Sequence, residues 1–377
     1  MASALHTIVM REIRLPLKEP FRISSGVTTN RRILLIEASD ADGVTAWSEC
    51  VAGEQPNYSA ETVDTAWLAI KEWIAPRVLG RPLAHPREVT PALDHEIRGH
   101  RMAKAAIEMA AWAILAEREQ VSLSRLIGGI RDRIATGISL GIQETPDELV
   151  ERASRSWKNG YRRIKMKIAP GADVEYVAAV RAALGPQAPL MADANSAYRL
   201  QDAGRLAELD PFNLMMIEQP LGQDDLIRHA ELQRRLATPL CLDEAITTCE
   251  RAADMIALES GRIVNIKPGR VGGFAEAKAI HDLCQQHAIP VWCGGMLESG
   301  VGRAYNVALA SLPNFTIPGD VSPSARYWMR DIVSPEWTMD AEGLVAVPRD
   351  RPGIGVDVDR DRVENLTVRT ERLGSRR

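Results

Sequence analysis

Ile164-Lys165-Met166-Lys167-Ile168 lies near the middle of the 377-residue chain, and the fold is read outward from it. Side chains alternate faces along a strand, so an extended run here puts Ile164, Met166 and Ile168 on one side and both lysines on the other. Two ammonium groups on one face of an otherwise apolar strand repel each other and lose hydration. Such a face is stable at an open, solvated sheet edge, or where anions stand opposite. The flanking sequence decides between the two.

From Arg131 the chain alternates strand-like and helix-like stretches. Strand cores are predicted at 135–140, 163–168, 189–193, 214–218, 239–243, 262–267, 289–293 and 315–317. Amphipathic helical runs such as 173–184 and 275–287 lie between most of them. Eight strands so spaced match a βα barrel, whose active sites sit at the strands' C-terminal ends. An open doubly wound sheet also holds its site beyond strand C-termini. No Gly-x-Gly-x-x-Gly follows an early strand, so a dinucleotide fold has little support.

The first 130 residues have a different texture. Stretches 3–15 and 31–50 read as strands, with Asp40-Ala41-Asp42-Gly43 as a hairpin turn. Segments 20–26 and 51–59 read as surface loops. Ser59 is the predicted cap of a helix carrying Val63, Trp67, Ile70 and Ile74, and 102–115 is an alanine-rich, close-packed helix. The expected organisation is an α+β unit over 1–130 and a barrel over 131–324. A tail of about 325–377, with a strand-like 343–347, is expected to return to the first unit.

Composition narrows the function. The chain is 45% hydrophobic and 25% charged, with a formal net charge of −4, so no basic excess exists to neutralise nucleic-acid phosphates or an anionic membrane. No apolar run approaches a membrane span, and the opening Met-Ala-Ser-Ala-Leu-His lacks the character of a secretion signal. The five cysteines are scattered without zinc-type pairing. A cytoplasmic enzyme with reduced thiols is expected.

Polar residues recur at one phase of the strands. Ser139 to Lys165 and Lys167 to Asp193 are 26 residues apart, Asp193 to Glu218 and Glu218 to Asp243 are 25, and Asp243 to Lys267 is 24. One βα unit per step places all of them at one rim of one barrel. Singly, Asp193 could make an Asx turn, Glu218 could end a strand and Asp243 could cap a helix. Three carboxylates in register on consecutive strands need a cation to stay ionised together, and all-oxygen ligation with open positions suits Mg²⁺ or a similar ion such as Mn²⁺. Such an ion acts as a Lewis acid on a substrate carboxylate and makes its α-proton removable, the enediolate being held by the metal and nearby ammonium groups. A lysine serves as the base if burial beside another cation lowers its pKa, a condition Lys165 and Lys167 meet. Lys267, from the sixth strand, would face the substrate from the opposite side. Arg270 either tunes Lys267 or is a loop arginine paired with an acid.

Lys165-Met166-Lys167, Asp193-Ala194-Asn195, Glu218-Gln219-Pro220, Asp243-Glu244 and Lys267-Pro268-Gly269-Arg270-Val271-Gly272-Gly273 resemble the motif set of the enolase superfamily, muconate-lactonising subgroup. Its members use a Lys or His base with Mg²⁺. Gly99-His100-Arg101-Met102-Ala103-Lys104, Trp292-Cys293-Gly294-Gly295-Met296-Leu297-Glu298-Ser299-Gly300, Ser311-Leu312-Pro313-Asn314-Phe315 and Pro318-Gly319-Asp320 are similar to the o-succinylbenzoate synthase/N-succinylamino-acid racemase family. The resemblance implies an α/β fold, a modified TIM barrel (β/α)7β under an α+β capping domain. It implies Mg²⁺ on Asp193, Glu218 and Asp243, with Lys167 and Lys267 as acid/base on opposite faces and Lys165 stabilising the enediolate. By the same resemblance Asn195 supports the site, and Ser139, Gly295, Met296 and Leu297 line the pocket. Phe21 and Tyr58 reach in from the cap, whose two early loops close over the substrate. The implied partner is a small carboxylate bearing a succinyl group, handled by a homo-oligomer.

Relatives with other reactions differ at readable positions. Dipeptide epimerases carry Asp-x-Asp on the last barrel strand for the substrate amine, and here Gly319-Asp320-Val321-Ser322 has a single acid. A mandelate-racemase type needs a seventh-strand His, which Val291-Trp292-Cys293 lacks. Muconate cycloisomerisation fits the lysines but is disfavoured by Gly294-Gly295-Met296. A non-catalytic binding barrel predicts the loss of a base or ligand, and none is lost. An aldolase-type barrel has no clear use for two opposed lysines.

Overall fold

The computed structural model describes residues 4–374. Three antiparallel strands open the chain: β1 (Leu5–Ile23), β2 (Gly26–Asp40) and β3 (Thr45–Cys50). The β2–β3 turn is the Asp40–Gly43 tetrapeptide, where Asp40 Oδ1 accepts hydrogen bonds from the Asp42 and Val44 backbone N–H groups. Segment 20–26, expected as a loop, is instead the far end of the β1–β2 hairpin. Pairing runs out to Ile23 opposite Gly26, leaving Ser24 and Ser25 as the turn. Pro20, Arg22 and Ser25 of this segment are exposed, while Ser24 is half-buried.

The helix Arg101–Arg118 crosses behind this sheet, and Ala103, Ala106, Ala110 and Ala113, all fully buried, allow its close approach. Thr62, rather than Ser59, caps the first helix, because Thr62 and Thr65 satisfy each other's backbone N–H in a capping box. The C-terminal strand Thr367–Gly374 returns to pair antiparallel with β1. The stretch 343–347 does not return there. Leu344–Ala346 pairs with β4 (Arg133–Ala135), a short strand at the base of the barrel with no other partner in its sheet.

The barrel sheet consists of seven parallel strands. They are β5 (Ile138–Leu140), β6 (Ile164–Lys167), β7 (Leu190–Asp193), β8 (Ile217–Glu218), β9 (Leu240–Leu242), β10 (Ile263–Ile266) and β11 (Val291–Cys293), neighbours in chain order throughout. The expected strand 135–140 is split in two at Thr136-Gly137, where a Cβ on Gly137 would strike the Arg163 guanidinium. No regular strand forms at 315–317. Phe315 bridges Val291 and Gly319 bridges Thr136, while Gly137 N donates to Gly319 O at 2.7 Å and Asp320 N to Cys293 O at 2.8 Å. Pro313 and Pro318 carry no N–H, so the eighth position closes the ring through isolated bridges rather than a ladder.

One apolar cluster runs from Ile8 and Met10 of β1 through Ile107 of the long helix to Val264 and Ile280 of the barrel. Two buried glutamates clamp the same seam. Glu108 accepts from Phe274 N and Ala275 N at 2.9 Å each, capping the barrel helix Phe274–Gln286. Glu49 of β3 accepts from Ser299 N at 3.1 Å and Gly302 N at 3.2 Å at the start of helix Gly300–Ala310. Helix N-termini favour such acidic acceptors, and here they fix the cap above the barrel mouth. Among the described residues no helix is long and apolar enough to cross a membrane.

Candidate active site

Strand register builds the site. Lys167, Asp193 and Glu218 are direct partners across β6, β7 and β8, and Lys165 lies one level deeper between Ser139 and Met191. Alternation turns Lys165 and Lys167 to one face, as the sequence pattern required. Both are nearly buried, at 2% and 8% exposed, so the lysine face looks inward and not to solvent. Asp243 and Lys267 stand just past the ends of β9 and β10.

The charges sort into two groups. Lys167 Nζ donates to Asp193 Oδ2 and Asn195 Oδ1, both at 2.6 Å. Asn195 Nδ2 in turn donates to Glu244 Oε1 at 3.0 Å. Across the mouth, Lys267 Nζ donates to Asp243 Oδ2 at 2.7 Å and to the Tyr58 hydroxyl at 2.8 Å. The Tyr58 hydroxyl donates a hydrogen bond to Asp243 Oδ2 at 3.0 Å. Arg270 Nη2 lies 3.1 Å from Asp243 Oδ1 and donates its hydrogen bond to the Asn265 carbonyl, while Nη1 donates to the Ile246 carbonyl. Arg270 is therefore a buried arginine paired with the acid that also holds Lys267.

A cavity of about 190 Å³ lies between barrel and cap, lined by Lys167, Lys267 and Asn195 below, Gly295, Met296 and Leu297 at one side, and Phe21 and Tyr58 above. These predicted residues converge. Ser139 does not line it; the side chain sits lower in the barrel, beside Lys165, with its hydroxyl buried and unpartnered. Lys165 is also below the cavity floor. Ser24 Oγ donates to Asn195 O at 3.1 Å and Ile142 N to Arg22 O at 3.1 Å, which holds the hairpin tip onto the barrel rim.

For Lys165 and Lys267 the geometry produces the opposite of a lowered pKa. Burial pulls Lys165 down, but Asp320, Glu218 and Asp193 outweigh it and hold the ammonium well above the ordinary lysine value. Burial likewise lowers Lys267 and Asp243 more than reverses it; Arg270 pulls the other way without winning. Adjacent cations matter less than directly bonded carboxylates. The carboxyl groups diverge in turn. Burial raises Asp193, and Lys167 and Lys165 overcome it, leaving Asp193 far below its usual range. Glu218 is pushed well above its usual range, first by burial and then by Asp193.

Several functional candidates escaped the sequence reading. Asn265 Nδ2 donates to Glu218 Oε1 at 2.6 Å, and Asn265 shares the Lys267 face of β10 by simple alternation. Arg163 shares the Lys165 face in the same way. Asp320 bonds Arg163 Nη2 at 2.5 Å and Lys165 Nζ at 2.7 Å, but no regular strand announced its direction.

Asp193, Glu218 and Asp243 are the acids at the ends of consecutive strands, at the barrel mouth. Among the described residues no three acidic, His or Cys side chains close on a common point; Lys165 bridges Asp193 and Glu218, and Lys267 is paired with Asp243. The donors nevertheless suit a hard cation: all are oxygen, Asp243 Oδ1 is buried without a hydrogen-bond donor, and Glu218 is penalised by its neighbours' charge.

Comparison with known proteins follows this geometry. Residues 5–128 match the family described as "Mandelate racemase / muconate lactonizing enzyme, N-terminal domain", and residues 148–362 match "Enolase C-terminal domain-like". The chain is 50% identical to an o-succinylbenzoate synthase of Geobacillus kaustophilus over 97% of both chains. It is 45% identical to an N-succinylamino acid racemase of Amycolatopsis sp over 98% of this chain and 100% of that one. A crystal structure of an enolase superfamily member from Listeria innocua superposes with a TM-score of 0.94 at 39% identity, covering 99% of each.

Proposed function

The chain belongs to the enolase superfamily, in its mandelate racemase and muconate-lactonizing branch, and from that footing we propose that it removes the α-proton of a succinyl-bearing carboxylate, acting both as an o-succinylbenzoate synthase and as an N-succinylamino acid racemase. The observation that carries this reading is the pair Lys167 and Lys267, which enter one cavity from separate strands and hold separate carboxylates.

Enolase superfamily enzymes generally use a divalent metal ion. Held by Asp193, Glu218 and Asp243, Mg²⁺ would supply Lewis acidity toward the substrate carboxylate and compete with the lysines for those carboxylates, which is the condition for a neutral amine. In racemisation one lysine takes the α-proton and the other returns a proton to the opposite face. In dehydration one lysine breaks the Cα–H bond and then hands its proton to the departing β-hydroxyl, which leaves as water, while the second lysine steadies negative charge. Lys165 remains a fixed cation under the carboxylate end. Phe21, Met296 and Leu297 exclude water around the reacting carbon.

Substrates with an unblocked amine fit poorly. Asp320 spends Oδ1 on Arg163 and Oδ2 on Lys165, so no acid on the ring-closing segment remains for a substrate ammonium. The deciding experiment is ¹H NMR in D₂O with Mg²⁺, run on N-succinyl amino acids and on the succinyl-cyclohexadiene carboxylate. Loss of the α-proton signal with racemisation, formation of o-succinylbenzoate, and arrest of both by EDTA are expected. Absence of exchange on every substrate would remove the proposal.

A further inference from the structure

We propose that Arg31, on the cap wall of the cavity, binds the second carboxylate of the substrate, so that the site selects acids whose acyl chain itself ends in an anion. The inference rests on the α-proton chemistry proposed above and narrows its substrate to a dianion. The cations lining the cavity are Lys167 and Lys267 on the barrel floor and Arg31 on β2. Lys167 is bonded to Asp193 at 2.6 Å and Lys267 to Asp243 at 2.7 Å. Among the described residues Arg31 donates to backbone carbonyls alone: Val51 O at 2.7 Å, Ala52 O at 2.9 Å, Met296 O at 3.2 Å and Arg32 O at 3.3 Å. Its Nε is buried and has no hydrogen-bond partner.

A buried charge without a counter-ion is costly, and so is a buried donor left unpaired. Arg31 is 4% exposed, and burial pulls the guanidinium below its ordinary value against smaller opposing pulls from Glu49 and then Glu298. Neither acid is bonded to it. Glu49 accepts from the Ser299 and Gly302 N–H groups, and Glu298 Oε1 accepts from Asn306 Nδ2 at 2.8 Å. Of the acids that line the cavity, Glu61 accepts from Met102 N at 2.9 Å and Glu54 is exposed. A ligand carboxylate would supply both the missing charge and the missing acceptor. The Nη groups are tethered to the capping loop and to the segment beyond β11, so the fork is fixed before a ligand arrives and Nε–H is the donor left for it. A succinyl chain carries its anion away from the reacting carbon, and this cation stands on the wall away from the lysine floor.

Matched ligands test this on the Mg²⁺-loaded protein. An N-succinyl amino acid and its N-succinamoyl analogue differ only in a terminal carboxylate against a terminal amide. By titration calorimetry wild type should bind the succinyl ligand about 10-fold more tightly, and in α-proton exchange the difference should appear in KM with kcat little changed. Equal affinity for the two would overturn the proposal. Arg31→Met should bring the ratio close to one, and Arg31→Lys, which keeps the charge, should restore part of it. A guanidinium that only ties the loops together would weaken both ligands equally, so an unchanged ratio in Arg31→Met would also overturn the proposal. Should Arg31→Met fail to fold, arginine-selective ¹⁵N NMR of wild type decides. A buried Nε–H signal should shift with the succinyl ligand and not with the succinamoyl one, and the lack of any such signal would count against Arg31. Wild type without exchange on every substrate would sink the functional reading alone, with the calorimetric ratio still deciding the role of Arg31.

Discussion

Lys267 and Tyr58 meet across the seam between barrel and cap: the ammonium donates to the phenol oxygen at 2.8 Å and lies 4.7 Å from the ring centre. Among the described residues Lys167 makes no equivalent hydrogen bond with the cap, being held by Asp193 and Asn195 of the barrel. The two faces of the cavity therefore depend differently on the capping loop. Tyr58→Phe keeps the ring and deletes the hydroxyl. It should slow proton exchange on the Lys267 face by about 10-fold, a loss of one charge-assisted hydrogen bond, and spare the Lys167 face. Exchange of the two N-succinyl enantiomers, measured separately in D₂O, checks this. Equal slowing of both would contradict it.

The division of labour between the lysines has its own test. Lys267→Ala should abolish racemisation and impair dehydration, because dehydration needs only one proton carrier. Lys167→Ala should end both reactions. Chiral chromatography for the racemase and absorbance for the dehydratase read the outcomes, and racemase turnover retained in either variant would refute the two-base assignment.

The barrel and its charged rim were legible because each strand is short, buried and followed by one helix, so polar residues recur every 24 to 26 positions. Period-two alternation gave the inward face of Lys165 and Lys167, and carried one residue further it would have exposed Arg163 and Asn265 as well. Asp320 was hidden because Pro318 and Gly319 break the strand pattern at ring closure. The direction of the lysine pKa shifts was misread for a different reason. Proximity of two cations is visible in sequence, whereas the carboxylates bonded to Lys165 and Lys267, Asp320 and Asp243, both at 2.7 Å, are placed only by tertiary structure. Loop 51–59 likewise places Tyr58 only through tertiary contact.

Gly273 tests the seam. Its φ is +114°, and a Cβ there would collide with the Glu108 carboxylate that caps helix Phe274–Gln286 from the opposite side of the interface. Gly273→Ala should therefore combine backbone strain with loss of a buried cap, costing about 2 kcal/mol or more. Glu108→Gln keeps one acceptor oxygen for the Phe274 and Ala275 N–H groups and should cost less. Urea unfolding monitored by Trp fluorescence gives the order. A Gly273→Ala protein as stable as wild type would show that this contact does not hold the cap.

Glu49 makes stability depend on pH in a direction opposite to that of most paired carboxylates. Burial pushes its carboxyl up to about 8, against the lowering effect of its hydrogen bond from Ser299. The folded state therefore keeps a proton that the unfolded chain has already released above the ordinary value of 4.5. With more protons on the folded state, stability falls as pH rises from there, and the loss is complete once pH passes about 8. The histidines His85, His229 and His281 lie below their ordinary value, so their contribution runs the other way and is spent by neutral pH. Between pH ~6.5 and ~8 wild type should lose stability with a slope of up to about 1.4 kcal/mol per pH unit from this group, the slope fading as pH passes the folded value. Glu49→Gln, which cannot titrate, should show a flatter profile over the same interval in chemical denaturation. Parallel slopes in the two proteins would mean that Glu49 is already ionised at neutral pH and that the seam with helix Gly300–Ala310 is held by a carboxylate, not a carboxylic acid.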